Sequence, residues 1–458
     1  MMRISTCLIG LATAAGLLVS TALPAAAKTQ INVIGFGAGF AWTDLFGKSG
    51  TEKTKKLLDF EAANDVEINM EFADEDVARQ KVLLDLMNGT GNYDLVLLGS
   101  DGAVQTFSAA GYLEPLDGYL DKAKDLFDAS KVYPAFIEAN KSGGKLWALP
   151  YYSFGAGVVY RKDIFDKYGI KEFPKTMSDM EKALQTVKDG LAKDGVKDVY
   201  PLTMRGAPGE EPSLDLSGFV YAYAGYPAWF EKGPLTADEI KTTKAKPIFT
   251  GDFKPGFETF VRWSKEFGPP GIATHTWVDM MNLYGQGKAV VLFPSAINAF
   301  AGIPGSEVEA VKKYSAFAPS PVGPSGKAVQ SFWTFSVGVS AFSKNKDAAY
   351  KALAFLTSEP VMRDFNAMSG WPYTTYPSIM HSPTLTDKWP AAMLDQIEAS
   401  FKEADPHYFP YIPELTEFMD HIGTAASSAI AGTTTVDQSL DELQTWATDR
   451  MTRAGYYK

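Results

Sequence analysis

Beyond Cys7 the 458-residue chain has no cysteine, so neither an intrachain disulfide nor a cluster of thiolate ligands can form. Histidine is scarce as well. His275, His381, His407 and His421 show neither HExxH nor HxH spacing, which argues against a zinc enzyme. Positive charge is in deficit, with 43 Lys and Arg against 54 Asp and Glu and a net charge of −11. An acidic chain without a basic run is a poor partner for nucleic acid, whose binding rests on phosphate neutralisation. No GxSxG elbow, Walker loop or complete Ser/His/Asp signature occurs. Glycine (40) and proline (27) stay near ordinary use, which excludes collagen and bulk disorder. After the first residues no apolar run approaches the roughly 18 residues of a membrane span.

The N-terminus is the exception. Met1-Met2-Arg3 is followed by apolar or small residues from Cys7 to Leu23 and then by Pro24-Ala25-Ala26-Ala27. This layout predicts a secretory signal peptide over residues 1–27, cleaved after Ala27. The stretch is short and rich in Ala, Gly, Ser and Thr, which insert less well than Leu or Ile, so a transmembrane anchor is disfavoured. Cys7 stands before the apolar core rather than after it, and no Arg-Arg pair precedes it; neither a lipid anchor nor the twin-arginine route is supported. The mature chain, from Lys28, is expected to be a soluble periplasmic protein.

Its opening alternates strands and helices. Ile31–Phe36 is an apolar strand, and Ser49-Gly50-Thr51-Glu52 fits a capping box that opens a helix. Val66, Ile68, Met70 and Phe72 alternate with polar residues, a period-two strand. Asp74 can cap a helix whose apolar face includes Val77, Leu84 and Met87, and which Gly89 can end. Tyr93–Leu98 reads as a buried strand. Such an order gives a mostly parallel α/β sheet. Later strands are expected at Val158–Tyr160, Val199–Met204, Ala289–Phe293 and Phe335–Ala341, with a long helix over Asp347–Phe365 and a terminal one around Val436–Trp446.

Candidate sites gather where the strands end. Gly35-Phe36-Gly37-Ala38-Gly39-Phe40 departs from a dinucleotide loop at its sixth position, and no helix follows at once, so no nicotinamide cofactor is expected. The loop still occupies the carboxyl edge, where open α/β sheets take ligands. Asp74-Glu75-Asp76 and Ser100-Asp101 stand at the same edge. These carboxylates suit acid/base work on a glycoside, hydrogen bonds from sugar hydroxyls, or simply a solvated helix start. Aromatic residues make up 13 % of the chain and recur in connecting segments, where ring faces suit the C–H face of a sugar.

Seven segments in order carry a family resemblance: Asn92-Tyr93-Asp94-Leu95-Val96; Gly111-Tyr112-Leu113-Glu114-Pro115-Leu116-Asp117; Gly144-Lys145-Leu146-Trp147-Ala148-Leu149-Pro150-Tyr151; Val159-Tyr160-Arg161-Lys162-Asp163-Ile164-Phe165; Pro174-Lys175-Thr176-Met177; Gly287-Lys288-Ala289-Val290-Val291; and Val337–Ser340 with Lys344–Ala349. Together they resemble the extracellular solute-binding proteins of ABC importers, in the sugar-binding group that includes maltose-binding protein. The resemblance implies a type II periplasmic-binding fold. Each of its two hinged lobes is a mostly parallel sheet flanked by helices, with the ligand cleft between the lobes. It places crossings near Tyr151–Gly155, Phe332–Phe335 and Trp371–Tyr376. Lobe one is then 28–152 with 333–372, and lobe two 153–332 with 373–458.

The same resemblance puts Gly37, Phe40, Asp74, Gln80 and Asp101 at the cleft, with Trp42 and Tyr152 among the lining aromatics. It points to Tyr226 and Trp229 as stackers, to Ser295 where relatives often carry Trp, and to Trp333 and Trp371, while Tyr411 is a candidate from the aromatic clusters of the connecting segments. A Pro-Tyr-Thr-Thr run follows Trp371 where relatives often have an Arg, which disfavours a strongly anionic ligand. The implied function is non-catalytic capture of a neutral mono- or oligosaccharide or polyol for an inner-membrane ABC permease, by a monomer with no cofactor, metal or nucleic acid. The alternatives are a receptor for another solute (polyamine, amino acid or peptide), or a secreted carbohydrate-active hydrolase using Asp74 and Asp101.

Overall fold

Strands fall where hydrophobic residues alternate or run together. They are β1 (Thr29–Phe36), β2 (Val66–Ala73), β3 (Leu95–Leu98), a short hairpin of β4 (Lys141–Ser142) and β5 (Lys145–Leu146), β6 (Ala148–Phe154), β7 (Val158–Arg161), β8 (Tyr200–Thr203), β9 (Ala289–Leu292), β10 (Ser315–Ala318) and β11 (Trp333–Val339). This computed structural model describes residues 28–36, 42–99, 102–294 and 303–457. Segment 1–27 and the candidate residues Gly37, Phe40, Asp101 and Ser295 lie outside the described residues.

Two sheets result. The first has order β2-β1-β3-β11-β6, with β1 parallel to β2 and β3, and β11 running against both of its neighbours. The second has order β10-β7-β9-β8, where β8 and β9 are parallel and β7 is reversed. Each sheet therefore holds a single reversed strand, and each is flanked by helices. Among the described residues no helix is long and apolar enough to cross a membrane.

Two short connections between the sheets meet at one place. β6 ends at Phe154 and β7 begins at Val158, so Gly155–Gly157 alone carry the chain across, a span of about 10 Å. The second enters β11 through Gln330–Phe332, and Trp333 pairs with Phe154. Because β6 leaves from its carboxyl end, the carboxyl edge of the first sheet faces the second sheet across this join. Both glycines of the first crossing are pressed on. A Cβ at Gly155 would stand 2.8 Å from the Ser400 carbonyl oxygen, and one at Gly157 would stand 2.2 Å from the Phe317 ring.

Several sequence expectations shift. The helix expected to open at Ser49 begins at Lys55 behind Thr54, and Ser49 instead shares a hydroxyl bond with Thr51. The helix expected over Asp347–Phe365 is two, Lys346–Leu356 and Glu359–Ser369, because Pro360 can start a helix but not continue one. The Glu75–Asn88 helix is turned from its expected face. Ala78, Val82 and Leu86 are buried, whereas Val77 (45 %), Leu84 (60 %) and Met87 (61 %) are exposed. Buried Asp85 fixes that rotation by accepting from Asn92 N at 2.9 Å and from Thr90 Oγ1.

Beyond Trp371–Tyr376, where the resemblance puts a third crossing, residues 376–389 stay with the first sheet's helices: Tyr376 Oη donates to Thr357 O at 2.7 Å and Trp389 Nε1 to Gly370 O at 2.7 Å. The Ala391–Lys402 helix follows, and its Phe401 packs on Tyr133 and Phe136 while Ser400 meets Gly155.

Candidate functional site

The carboxyl edge of the first sheet carries an aromatic wall. Tyr152 of β6 stacks on Phe335 of β11 with ring centroids 4.5 Å apart, and on Tyr373 at 5.8 Å. Phe36 at the end of β1 meets Phe335 edge-on at 5.6 Å, Trp333 reaches Phe335 at 5.6 Å, and Trp371 reaches Tyr373 at 5.3 Å. Burial pushes the Tyr373 hydroxyl well above its ordinary range, so it stays a neutral donor. Tyr152, Trp333 and Trp371, named from the sequence, are thus brought to one place. Trp333 and Trp371 are half-buried, as cleft residues would be, and Tyr152 is buried behind them.

Trp42 is placed differently. It is 1 % exposed, its Nε1 donates to Leu356 O at 2.8 Å, and its ring packs on Tyr151 at 4.6 Å. Its backbone is left-handed at φ 75, a conformation that costs a bulky residue on the order of 1 kcal/mol and that these contacts hold in place. Asp74 is an exposed helix N-cap without a side-chain capping bond, and Gln80 is exposed beside Val77 and Leu84. Its neighbour Arg79 faces the edge instead, with its guanidinium 5.9 Å from the Trp333 ring centroid. The sequence signal was available: Arg79 sits one turn past Asp74, at the helix start that follows β2.

The second sheet presents the loop after β8. Arg205 and Asp215 are buried there as a pair, with Nε to Oδ2 at 2.7 Å and a second bond from Nη2 to Oδ1. Burial disfavours the Arg205 cation, but the Asp215 carboxylate outweighs this and holds the guanidinium above its ordinary value. Ser331 Oγ donates to Asp215 Oδ1 at 2.8 Å, and Phe332 N donates to Tyr408 Oη at 3.3 Å, so the pair clamps the second crossing. Glu211 opens the Glu211–Ala224 helix and accepts from Trp277 N at 3.0 Å. His275, whose carbonyl accepts from Gly206 N and Ala207 N, is held below its ordinary pKa by burial. Sequence reasoning passed over Arg205 and Glu211, although both follow a strand it had placed.

Tyr226 and Trp229 belong to other surroundings. The helix that separates them from the β8 loop has 14 residues, so its ends stand about 20 Å apart. Tyr226 Oη donates to Asp252 at 2.6 Å, and burial first, then that carboxylate, pushes its pKa up to about 12. Trp229 is fully buried between Phe409 and Phe418. Tyr411 closes the same group, its Oη donating to Pro406 O at 2.6 Å. These three residues form packing contacts on the second sheet's side, not the wall described above. Among the described residues no three His, Cys, Asp or Glu side chains could hold a metal ion.

Comparison with known proteins agrees with this architecture. The sequence model of the bacterial extracellular solute-binding protein family matches residues 44–363. A mannitol-binding protein of Pseudomonas aeruginosa is 25 % identical over 418 residues, 87 % of this chain and 89 % of that one. An ABC transporter solute-binding protein of Agrobacterium vitis, solved with bound D-mannitol, superposes with a TM-score of 0.74 at 25 % identity, covering 94 % and 100 % of the two chains. One from Agrobacterium radiobacter, solved with ribitol, superposes with a TM-score of 0.73 at 21 % identity, covering 92 % and 98 %.

Proposed function

This chain belongs to the bacterial extracellular solute-binding proteins, a family of binding proteins rather than enzymes, and on that premise we propose that it is the receptor of an ABC importer for a neutral sugar or alditol. The observation that carries the reading is the pair of facing sheet edges, joined by Gly155–Gly157 and Gln330–Phe332, with Trp333, Phe335, Tyr373 and Trp371 along one of them. Apolar ring faces suit the C–H side of a polyhydroxylated ligand and nearby donors suit its oxygens. The D-mannitol and ribitol held by the two solved relatives, and the mannitol of the Pseudomonas protein, support an acyclic alditol as the first ligand to try.

The mechanism is population shift. A ligand that touches both edges only when they close favours the closed form by that difference in affinity, and the membrane permease reads the closed shape. We assign residues 28–152 and 333–389 to one lobe, 158–329 and 405–457 to the other, and the Ala391–Lys402 helix to the join. We read residues 1–27 as a signal peptide, which supports a periplasmic mature protein, and the acidic, hinged chain supports a monomer.

Thermal unfolding of the mature chain from Lys28 against sugars, alditols, amino acids and polyamines tests this. A ligand at 100 times its dissociation constant adds about 2.7 kcal/mol. A rise with one alditol or sugar, weakened by roughly 1–3 kcal/mol in Trp333→Ala or Trp371→Ala, is expected. A rise only with amines or amino acids sinks the reading.

A further inference from the structure

Tyr226 and Trp229, the aromatics expected to stack from the second sheet's side, stand at the far end of the Glu211–Ala224 helix from that sheet's carboxyl edge. The edge itself meets the gap. β7 enters from Gly155–Gly157 and runs against β9, with Val159 opposite Leu292, so its amino end lies beside the carboxyl ends of β8 and β9 at the join. Gly157 N donates to Pro294 O at 3.0 Å and ties the two together. A helix over Trp277–Gly285 begins above the same edge, its first turn fixed by a capping box of Thr276 and Asp279. His275 O accepts from Gly206 N at 2.9 Å and from Ala207 N at 3.0 Å, in the loop that leaves β8, and Trp277 N donates to Glu211 Oε2 at 3.0 Å.

Trp277 shares a helix face with Met280 and Tyr284, three and seven residues further on. Both are fully buried where this helix packs on β8 and β9. Helical side chains tilt toward the amino end, so the indole, one turn above Met280, projects past the strand ends toward the first sheet. It is half-buried. Of the nine tryptophans, Trp277 alone has neither a ring contact nor a hydrogen bond from Nε1 among the described residues. A large flat ring without packing partners contributes little to a core and suits a stacking face.

We propose that Trp277 is the stacking residue of the second lobe, laid on the C–H side of the sugar or alditol opposite Trp333 and Trp371 when the lobes close. The proposal rests on the receptor reading above and names its contact from the second lobe. In the open form the ligand meets one wall. Trp277 adds its contact on closure alone, so the area it covers enters the difference in affinity that favours the closed state.

The test is calorimetric titration of wild type, Trp277→Phe, Trp277→Leu and Trp277→Ala with D-mannitol, or with whichever sugar or alditol binds wild type most tightly. Trp277→Ala is expected to weaken binding about 10–100-fold, the scale of a lost aromatic contact with its burial. Trp277→Phe keeps a flat face and should lose less than Trp277→Leu, which keeps apolar area without one. Ligand-free, the three variants should melt close to wild type, since no ring packs on the indole. A merely structural role would lower the melting point and leave the Phe and Leu variants alike. In wild type labelled with fluorotryptophan, the fluorine resonance missing from Trp277→Phe should shift at saturation.

Unchanged affinity in Trp277→Ala, equal loss in the Phe and Leu variants, or a resonance that ignores saturating ligand overturns the assignment. Unchanged affinity with lost uptake in cells would give the indole to the permease instead. If no sugar or alditol binds wild type, the receptor reading itself falls, and this inference with it.

Discussion

Gly218 lies mid-way along the Glu211–Ala224 helix, against the second crossing. A Cβ there would stand 1.7 Å from the carbonyl oxygen of Gln330, 2.6 Å from its carbonyl carbon and 2.8 Å from its nitrogen. Ordinary contact begins at 3.4 Å, so helix or crossing must move by about 1.7 Å. The crossing is not free to yield. Asp405 N donates to the Gln330 side chain, Ser331 Oγ to Asp215, and Phe332 N to Tyr408 Oη. Considered alone, Gly→Ala inside a helix stabilises by about 1 kcal/mol. Overpacking against backbone costs about 3 kcal/mol, the upper end of its usual range. The net for Gly218→Ala is a loss of about 2 kcal/mol. At roughly 2–4 °C per kcal/mol for a domain of this size, the melting point falls by roughly 4–8 °C. Ligand affinity falls as well, because Trp333 begins β11 only a few residues beyond Gln330. The comparison variant is Gly118→Ala, where a Cβ meets open space and φ is not left-handed. It should gain about 0.4–1 kcal/mol. Thermal unfolding with and without ligand decides the matter. If Gly218→Ala melts at or above wild type, as helix propensity alone requires, the packing argument is refuted.

Three further outcomes are expected. Asp215→Ala strands a buried guanidinium and should cost about 3–5 kcal/mol in chemical denaturation, while Arg205→Met with Asp215→Leu should recover most of it; a mild single-variant effect would show that the pair is solvated. Asp44 is pushed up to about 6, chiefly by burial and then by Asp364, against its own backbone bond and Lys56, and its Oδ1 is buried without a partner. Its folded value lies above the unfolded one, so its contribution is most favourable below about pH 4 and is lost as pH rises through 6. Asp44→Asn should therefore stabilise by up to about 2 kcal/mol at pH 8 and hardly at all at pH 4, and an equal gain at both would exclude this cause. Gly155→Ala, pressed on Ser400 O, should lower the melting point by an amount corresponding to about 1–3 kcal/mol; no change would mean that the Ala391–Lys402 helix is loosely seated.

Much of the strand order was legible because it rests on local pattern. β2 alternates, β3 is continuously apolar, and Gly89 ends its helix at φ 60 as expected. The rotation of the Glu75–Asn88 helix was not, since apolar residues lie on most of its sides. Small Ala78 and buried Asp85 choose the face, and neither looks like a core residue in a sequence. β6 and β10 escaped notice because their partners lie far along the chain: Trp333 opposite Phe154, Ser315 opposite Arg161. At the candidate site, Tyr152 and Trp333 could be placed because they adjoin the crossings that the family resemblance marks. Trp42 and Trp229 could not be told from them, as a large ring suits a core as well as a cleft, and only their neighbours decide. Arg79 was masked by its neighbour Gln80, since a one-residue step turns a helical side chain by about 100°.

The position of β11 bears on how the polypeptide reaches this state. β11 is not an edge strand; it separates β3 from β6, and residues 155–332 are synthesised before it. Until the ribosome has delivered residue 339, β3 is paired on one side only, with β1, and β6 has no strand partner among the described residues. The β2-β1-β3 part can pair before that point, but its join to β6 must wait for β11, a long-range closure that slows folding. The order in which the strands are made thus postpones completion of the larger sheet until three quarters of the chain exists.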